Sequence, residues 1–141
     1  MTKPPSEHTF EDLFVGQKVA FSEKIDESLL TDFAKLSGDF NPLHMDEDYA
    51  LSTNFKKRVC HGMLLASFFS QLVGMYLPGK NSLYFSQSLN FRNPCFVGDE
   101  VTIEGEITEK KSSTKIITIK TTISRETTII IDGTAKVIVR E

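Results

Sequence analysis

The stretch from Gly62 to Leu77 constrains the fold more than any other part of this chain. Met63, Leu64, Leu65, Ala66, Phe68, Phe69, Leu72, Val73, Met75, Tyr76 and Leu77 make a helix here apolar nearly all round, and such a helix has to be buried on most sides. Ser67, Ser70 and Gln71 interrupt the stretch, and it falls short of the roughly 20 apolar residues that a bilayer requires. Pro78-Gly79 ends it. The rest of the chain must therefore wrap a helix.

The flanking pattern supplies the wrapping. Val19 and Phe21 alternate with polar neighbours, which predicts a strand near 17–25. Asp26 stands where an N-cap belongs, ahead of Leu29, Leu30, Phe33 and Leu36 at helical spacing, and Gly38 closes that helix. A loop follows from Asp39 to Met45, in which Pro42 blocks helical continuation, and Asp46 caps a short helix through Tyr49 and Ala50. After Pro78-Gly79 the chain reads as strands over 83–93, 99–110, 115–126 and 128–140, with clear alternation at Val101, Ile103, Gly105 and Ile107. Helices early and strands late predict an α+β domain, an antiparallel sheet of about five strands curled around the buried helix. So small a sheet cannot also cover its own outer edge, so two chains are expected to pair edge to edge as a homodimer.

With 141 residues there is room for one domain, taken as residues 10–141 behind a loose tip at 1–9. The net charge of −3 argues against nucleic acid, which wants a basic footprint. Residues 1–15 hold three acidic side chains, Glu7, Glu11 and Asp12, and two prolines, which fits no secretory or transit signal. With no membrane span expected either, the cytoplasm is the default location. Cys60 and Cys95 are too few for a disulfide framework or a thiolate zinc site and read as small buried hydrophobes.

Chemistry concentrates in Ser37-Gly38-Asp39-Phe40-Asn41-Pro42-Leu43-His44. A carboxylate and an imidazole five residues apart, on a loop that Pro42 stiffens, can hold one water between them if both turn the same way. That equipment suits adding or removing water across an activated double bond. The same spacing also fits an aspartate at a helix end and a histidine packed beside Pro42. Gly62 opens the buried helix, so its amide has no intrahelical acceptor and could polarise a thioester carbonyl as an enolate forms. Gly62 equally fits tight packing at a helix start. Asp39, Asn41, Asp46 and Asp48 lack calcium-loop spacing, and His61 beside Cys60 lacks a second thiol pair, so no metal site is expected. His61 reads as a packing or capping residue.

Gly38-Asp39-Phe40-Asn41-Pro42-Leu43-His44, with Ala50 beyond it, resembles the signature of the MaoC-like, or hydratase 2, family of (R)-specific enoyl-CoA hydratases. His61-Gly62-Met63-Leu64-Leu65-Ala66-Ser67 resembles that family's helix start, and the runs Gln87–Phe91 and Phe96–Val101 its strand region. The resemblance runs from about residue 10 to 140. It implies a hot-dog fold and makes Asp39 and His44 the catalytic pair. By the same resemblance Gly62 donates to the thioester oxygen, Asn41 orients the loop or the water, Ser70 supports the catalytic loop, and Val73 borders the acyl pocket.

The implied reaction adds water to trans-2-enoyl-CoA to give an (R)-3-hydroxyacyl-CoA, possible feedstock for polyhydroxyalkanoate or fatty-acid metabolism. It needs no cofactor, CoA being the carrier. Lys56-Lys57-Arg58, Lys80 or Arg92 could meet the CoA phosphates, although a solvated charge run explains them too. The nearest rival is a 3-hydroxyacyl-[acyl-carrier-protein] dehydratase, with a hot-dog thioesterase and a non-catalytic acyl-CoA-binding module behind it.

Overall fold

In the computed structural model, which describes residues 3–140, the alternation at Val19 and Phe21 becomes strand β1 (Lys18–Lys24). Asp26 caps helix α1 (Glu27–Ser37) by accepting a hydrogen bond from the Leu29 N–H at 3.1 Å. Gly38 ends that helix at φ +82°, in the left-handed geometry a glycine adopts without strain. Pro42, read from the pattern as a barrier to helix, instead opens helix α2 (Pro42–Met45). At the first helical position an N–H would have no intrahelical acceptor, so proline loses nothing there. Asp46 then caps helix α3 (Glu47–Leu51).

The apolar stretch forms α4 (Gly62–Ala66), α5 (Phe68–Gln71) and a wider π-helical turn (Leu72–Tyr76), which run on as one 15-residue central helix. The strands that follow are β2 (Ser82–Gln87), β3 (Asn90–Phe91), β4 (Glu100–Lys111), β5 (Ile116–Arg125) and β6 (Thr128–Val139). They build one antiparallel hot-dog sheet in the order β1-β4-β5-β6-β2, with β3 also on β6. The sheet has six strands because the stretch predicted as one strand over 83–93 breaks between β2 and β3. There the chain at Ser88 crosses Gly133 so closely that a Cβ on that glycine would lie 1.9 Å from the Ser88 carbonyl oxygen. Ser88 N–H donates to the Thr134 carbonyl and Ser88 Oγ accepts from the Thr134 N–H, each at 2.9 Å.

Side chains of the central helix fill the curl in two groups. Leu64, Leu65, Phe69 and Leu72 pack with Ile103, Ile123 and Ile131. Val73 and Leu77 pack with Ile107, Ile119 and Val137, joined by Phe10 and Leu13 from the chain's beginning. Each such side chain removed from water contributes about 1.5–3 kcal/mol. Within the stretch read as a loose tip, Ser6 N–H donates to the Met75 carbonyl at 2.9 Å, and Lys80 N–H donates to the Ser6 carbonyl at 2.8 Å. These bonds tie the segment to the far end of the central helix. Met1 and Thr2 lie outside the described residues. No helix among the described residues is long and apolar enough to cross a membrane.

Gly105, mid-strand in β4, makes room for Leu72. A Cβ there would sit 2.8 Å from Leu72 Cδ2 and 3.1 Å from Ile119 Cγ2. Gly105→Ala is therefore expected to destabilise the fold by about 1–3 kcal/mol through overpacking, seen as a lower Tm in a circular-dichroism melt. An unchanged Tm would mean that Leu72 has another place to go.

Candidate active site

The turn between α1 and α2 is built from short polar contacts. Ser37 Oγ accepts from the Asp39 N–H at 3.2 Å, Asp39 Oδ1 accepts from the Asn41 N–H at 3.1 Å, and Asn41 Oδ1 accepts from the Leu43 N–H at 3.0 Å. This relay of capping contacts carries the chain from the end of one helix into the start of the next. It leaves His44 in the last turn of α2, facing back towards Asp39.

His44 Nδ1 lies 2.6 Å from the Val59 carbonyl oxygen. A carbonyl can only accept, so Nδ1 carries a proton, and in the neutral tautomer that this bond selects Nε2 presents its lone pair. That Nε2 lies 3.9 Å from Asp39 Oδ2. Arg58 fixes the same turn from behind: its Nε donates to the His44 carbonyl at 2.6 Å and its Nη1 to Glu27 Oε1 at 2.8 Å.

Asp39 and His44 open onto a cavity of about 520 Å³ at the N-terminal end of the central helix. Its walls are largely apolar, with Met63, Leu65, Phe91, Pro94, Ile130 and Ile131 among them. Gly62 lies on the same wall as the first helical residue, so its N–H has no acceptor within the helix. The Phe91 ring covers it closely; a Cβ on Gly62 would lie 2.7 Å from Phe91 Cε1. A carboxylate, a bare imidazole nitrogen and a free helix-N-terminal amide thus share one apolar cavity.

Asn41 sits in this loop as a helix cap. Ser70 does not join it: its side chain is exposed and has no hydrogen-bond partner among the described residues. On the central helix it lies two turns beyond Gly62, away from the loop. Val73 is buried in the second core group with Leu77 and Ile107, and it does not line this cavity.

Of the cations considered for phosphate contact, Arg58 is buried in the loop's support, and Lys80 pairs with Glu7 at 3.3 Å. Arg92 lines the cavity and pairs with Asp132 at 3.2 Å, while Lys56 and Lys57 stay exposed. Cys60 and Cys95 are unpaired and buried; the hydrogen bond between their thiols and the burial push the Cys60 pKa up, which leaves that thiol unreactive.

His61, read from the sequence as packing or capping, does not cap. Its side chain makes no bond to the helix start; Nε2 lies 3.0 Å from the Asp39 carbonyl oxygen, and its ring stacks on that of His44 with centroids 4.1 Å apart. Burial above all, with His44 and Arg58 nearby, holds its pKa below the ordinary imidazole value, against the hydrogen bond to the Asp39 carbonyl and the Asp39 carboxylate. The only sequence signal for this role is its place immediately before the helix-opening glycine.

One ligand atom from each of Asp39, His44 and His61 lies within 4.8 Å of the others. Main-chain carbonyls already engage one nitrogen of each imidazole, His44 Nδ1 at Val59 and His61 Nε2 at Asp39. The trio has the form of an acid–base cluster.

Three comparisons show what the chain is similar to. Residues 12–128 match the family model described as MaoC like domain. The chain is 50% identical to the (R)-specific enoyl-CoA hydratase of Aeromonas caviae, over 80% of this chain and 84% of that protein. It is 42% identical to the (R)-specific enoyl-CoA hydratase of Rhodospirillum rubrum, over 94% and 92%. Among solved structures, the unliganded R-hydratase PhaJ1 of Pseudomonas aeruginosa superposes with a TM-score of 0.90 at 35% identity, covering 94% of this chain and 86% of that one.

The support behind His44 makes an asymmetric prediction. Removing the Arg58 side chain strands the His44 carbonyl, whereas Glu27 is 71% exposed at the side chain and water can replace it. Arg58→Leu is expected to destabilise by about 1–3 kcal/mol, and Glu27→Gln by about 1 kcal/mol or less. Urea unfolding of both variants measures this; equal losses would place the value of Arg58 in its ion pair instead.

Proposed function

The chain belongs to the MaoC-like family, and from that premise we propose that it is an (R)-specific enoyl-CoA hydratase, a hydro-lyase acting on trans-2-enoyl-CoA. The observation that carries this reading is the commitment of His44 Nδ1–H to the Val59 carbonyl. With Nδ1 engaged, Nε2 and the Asp39 carboxylate are both acceptors, 3.9 Å apart. A water between them donates one hydrogen to each and turns an oxygen lone pair towards the cavity.

In this reading the enoyl thioester lies with its carbonyl oxygen at the Gly62 amide and its C3 at the water. The oxygen attacks C3 while the Asp39 carboxylate takes the proton. Electron density moves through C2 onto the thioester oxygen, where the Gly62 N–H and the helix N-terminus meet it; one such donor is typically worth about 10²–10³ in rate. A proton then passes from the pair to C2, leaving OH on C3 and H on C2. Both groups stand on one side of the cavity, so addition is confined to one face, which is how the site would give a single hand. The apolar walls suit an acyl chain, and we assign the cavity to it.

Expected results are rapid loss of enoyl-thioester absorbance with crotonyl-CoA in wild type, and a fall of about two orders of magnitude or more in Asp39→Asn and in His44→Ala. Chiral chromatography of the product should return the (R) alcohol. Release of CoA thiol would replace hydration by thioester hydrolysis, and turnover only on acyl-carrier-protein substrates would replace the carrier.

The oligomer belongs to the same proposal. β2 lies at an open edge of the sheet, and it and the adjoining β3 expose Leu83, Phe85 and Phe91, the last two at 62% and 54%. An apolar edge of this kind invites pairing with another strand, and we propose that a second copy pairs there as a homodimer beside the cavity that Phe91 borders. The two buried, unpaired thiols fit a reducing compartment, and we place the reaction in the cytoplasm. Sedimentation equilibrium should return twice the 15.9 kDa chain mass. Phe85→Lys should shift it towards one chain; a wild-type monomer would remove the proposal.

A further inference from the structure

We propose that His61 is a positioning residue for Asp39 and His44: one ring holds the main chain of the first and the face of the second, keeping carboxylate and Nε2 turned to the same water. The inference rests on the hydration reading of that pair.

His61 is 1% exposed and occupies the N-cap position of the central helix without capping it. Because the Asp39 carbonyl can only accept, the proton sits on His61 Nε2, and Nδ1 keeps its lone pair. That Nδ1 is buried with no hydrogen-bond partner among the described residues. A leucine or phenylalanine would fill the slot between Phe33 and His44 without stranding an acceptor. The ring therefore serves through what its Nε2–H and its face do.

The Nε2–H does something no other group does. The remaining hydrogen bonds of Asp39 run to Ser37 and Asn41, within its own turn, so the bond from His61 is its one long-range hydrogen bond among the described residues. The ring face lies 4.1 Å from that of His44 at 30°, with Phe33 behind it at 4.9 Å. Gly62 is the next residue along the chain. A single rigid helix start thus sets Asp39, His44 and the amide that meets the thioester oxygen relative to one another. Displacing a reacting group by about 1 Å can lower a rate about 10²-fold.

Two variants separate the ring from the donor. His61→Phe keeps a ring between Phe33 and His44 and removes the N–H; His61→Gln restores an N–H at similar reach without the ring. With crotonyl-CoA, His61→Phe is expected to lose about 10–100-fold in kcat, with KM within about threefold of wild type, and His61→Gln to recover part of that loss. Wild-type kcat in His61→Phe, or a loss carried by KM in both variants, overturns the proposal.

Imidazole ¹⁵N spectra of the wild type give a reading independent of turnover and of whether His61→Phe folds. His61 should show a protonated Nε2 and a bare Nδ1 at neutral pH, and a cationic ring or an Nδ1–H tautomer overturns the proposal. Failure of the wild type to hydrate enoyl-CoA would sink the functional reading instead, and the spectra would still decide the state of His61.

Discussion

A helix with no polar face persists in water only inside something else, and the rest of this molecule follows from that. The sheet must curl, because a flat one would cover only one side of Leu64, Leu65, Phe69, Leu72 and Val73. Curling brings β4 close enough to the helix that position 105 accepts no side chain without displacing Leu72. Burial also leaves the helix two ends. The C-terminal end is closed by Ser6 and Lys80. The N-terminal end, at Gly62, remains beside the open cavity, so the helix amides that lack internal acceptors stand where a substrate carbonyl can use them.

The catalytic turn is held at two length scales. Within 37–43 the chain is self-supporting, since each polar group contacts a backbone group two residues away. Such contacts set the shape of the turn but not its position. Position comes from Val59 on His44 Nδ1, Arg58 on the His44 carbonyl and His61 on the Asp39 carbonyl, all from one short segment that runs straight into the central helix. The buried helix is thus the common reference for both halves of the site.

This division explains what could be read from the sequence. Asp26, Gly38 and Asp46 are legible because caps depend on neighbours a few residues away, and the strand alternation is legible for the same reason. Asp39 and His44 stand out because they share one turn, and their resemblance to a known motif sharpened the reading. Ser70 and Val73 were placed by that resemblance alone, and the rotation of the helix directs one to solvent and the other into the second core group. The break at Ser88 and the roles of Arg58 and His61 depend on partners more than a dozen residues away, and no local pattern encodes them. Pro42 is ambiguous in the sequence for a subtler reason: the same ring that stops a helix from within also starts one.

The choice of partners for the two histidines has its own chemical logic. Both give their N–H to a main-chain carbonyl, His44 to Val59 and His61 to Asp39. A carboxylate in either place would also fix the tautomer, but its charge would favour the imidazolium. A protonated His44 would then donate to Asp39 and close the gap in which the water is to sit. A carbonyl orients the ring without placing a second carboxylate in the site, and Asp39 is the only carboxylate among the residues lining the cavity. Desolvation above all lowers the His61 pKa, which favours an uncharged ring against His44. The two acceptors can then share one water, and negative charge that develops on the thioester oxygen meets the amides of the helix start.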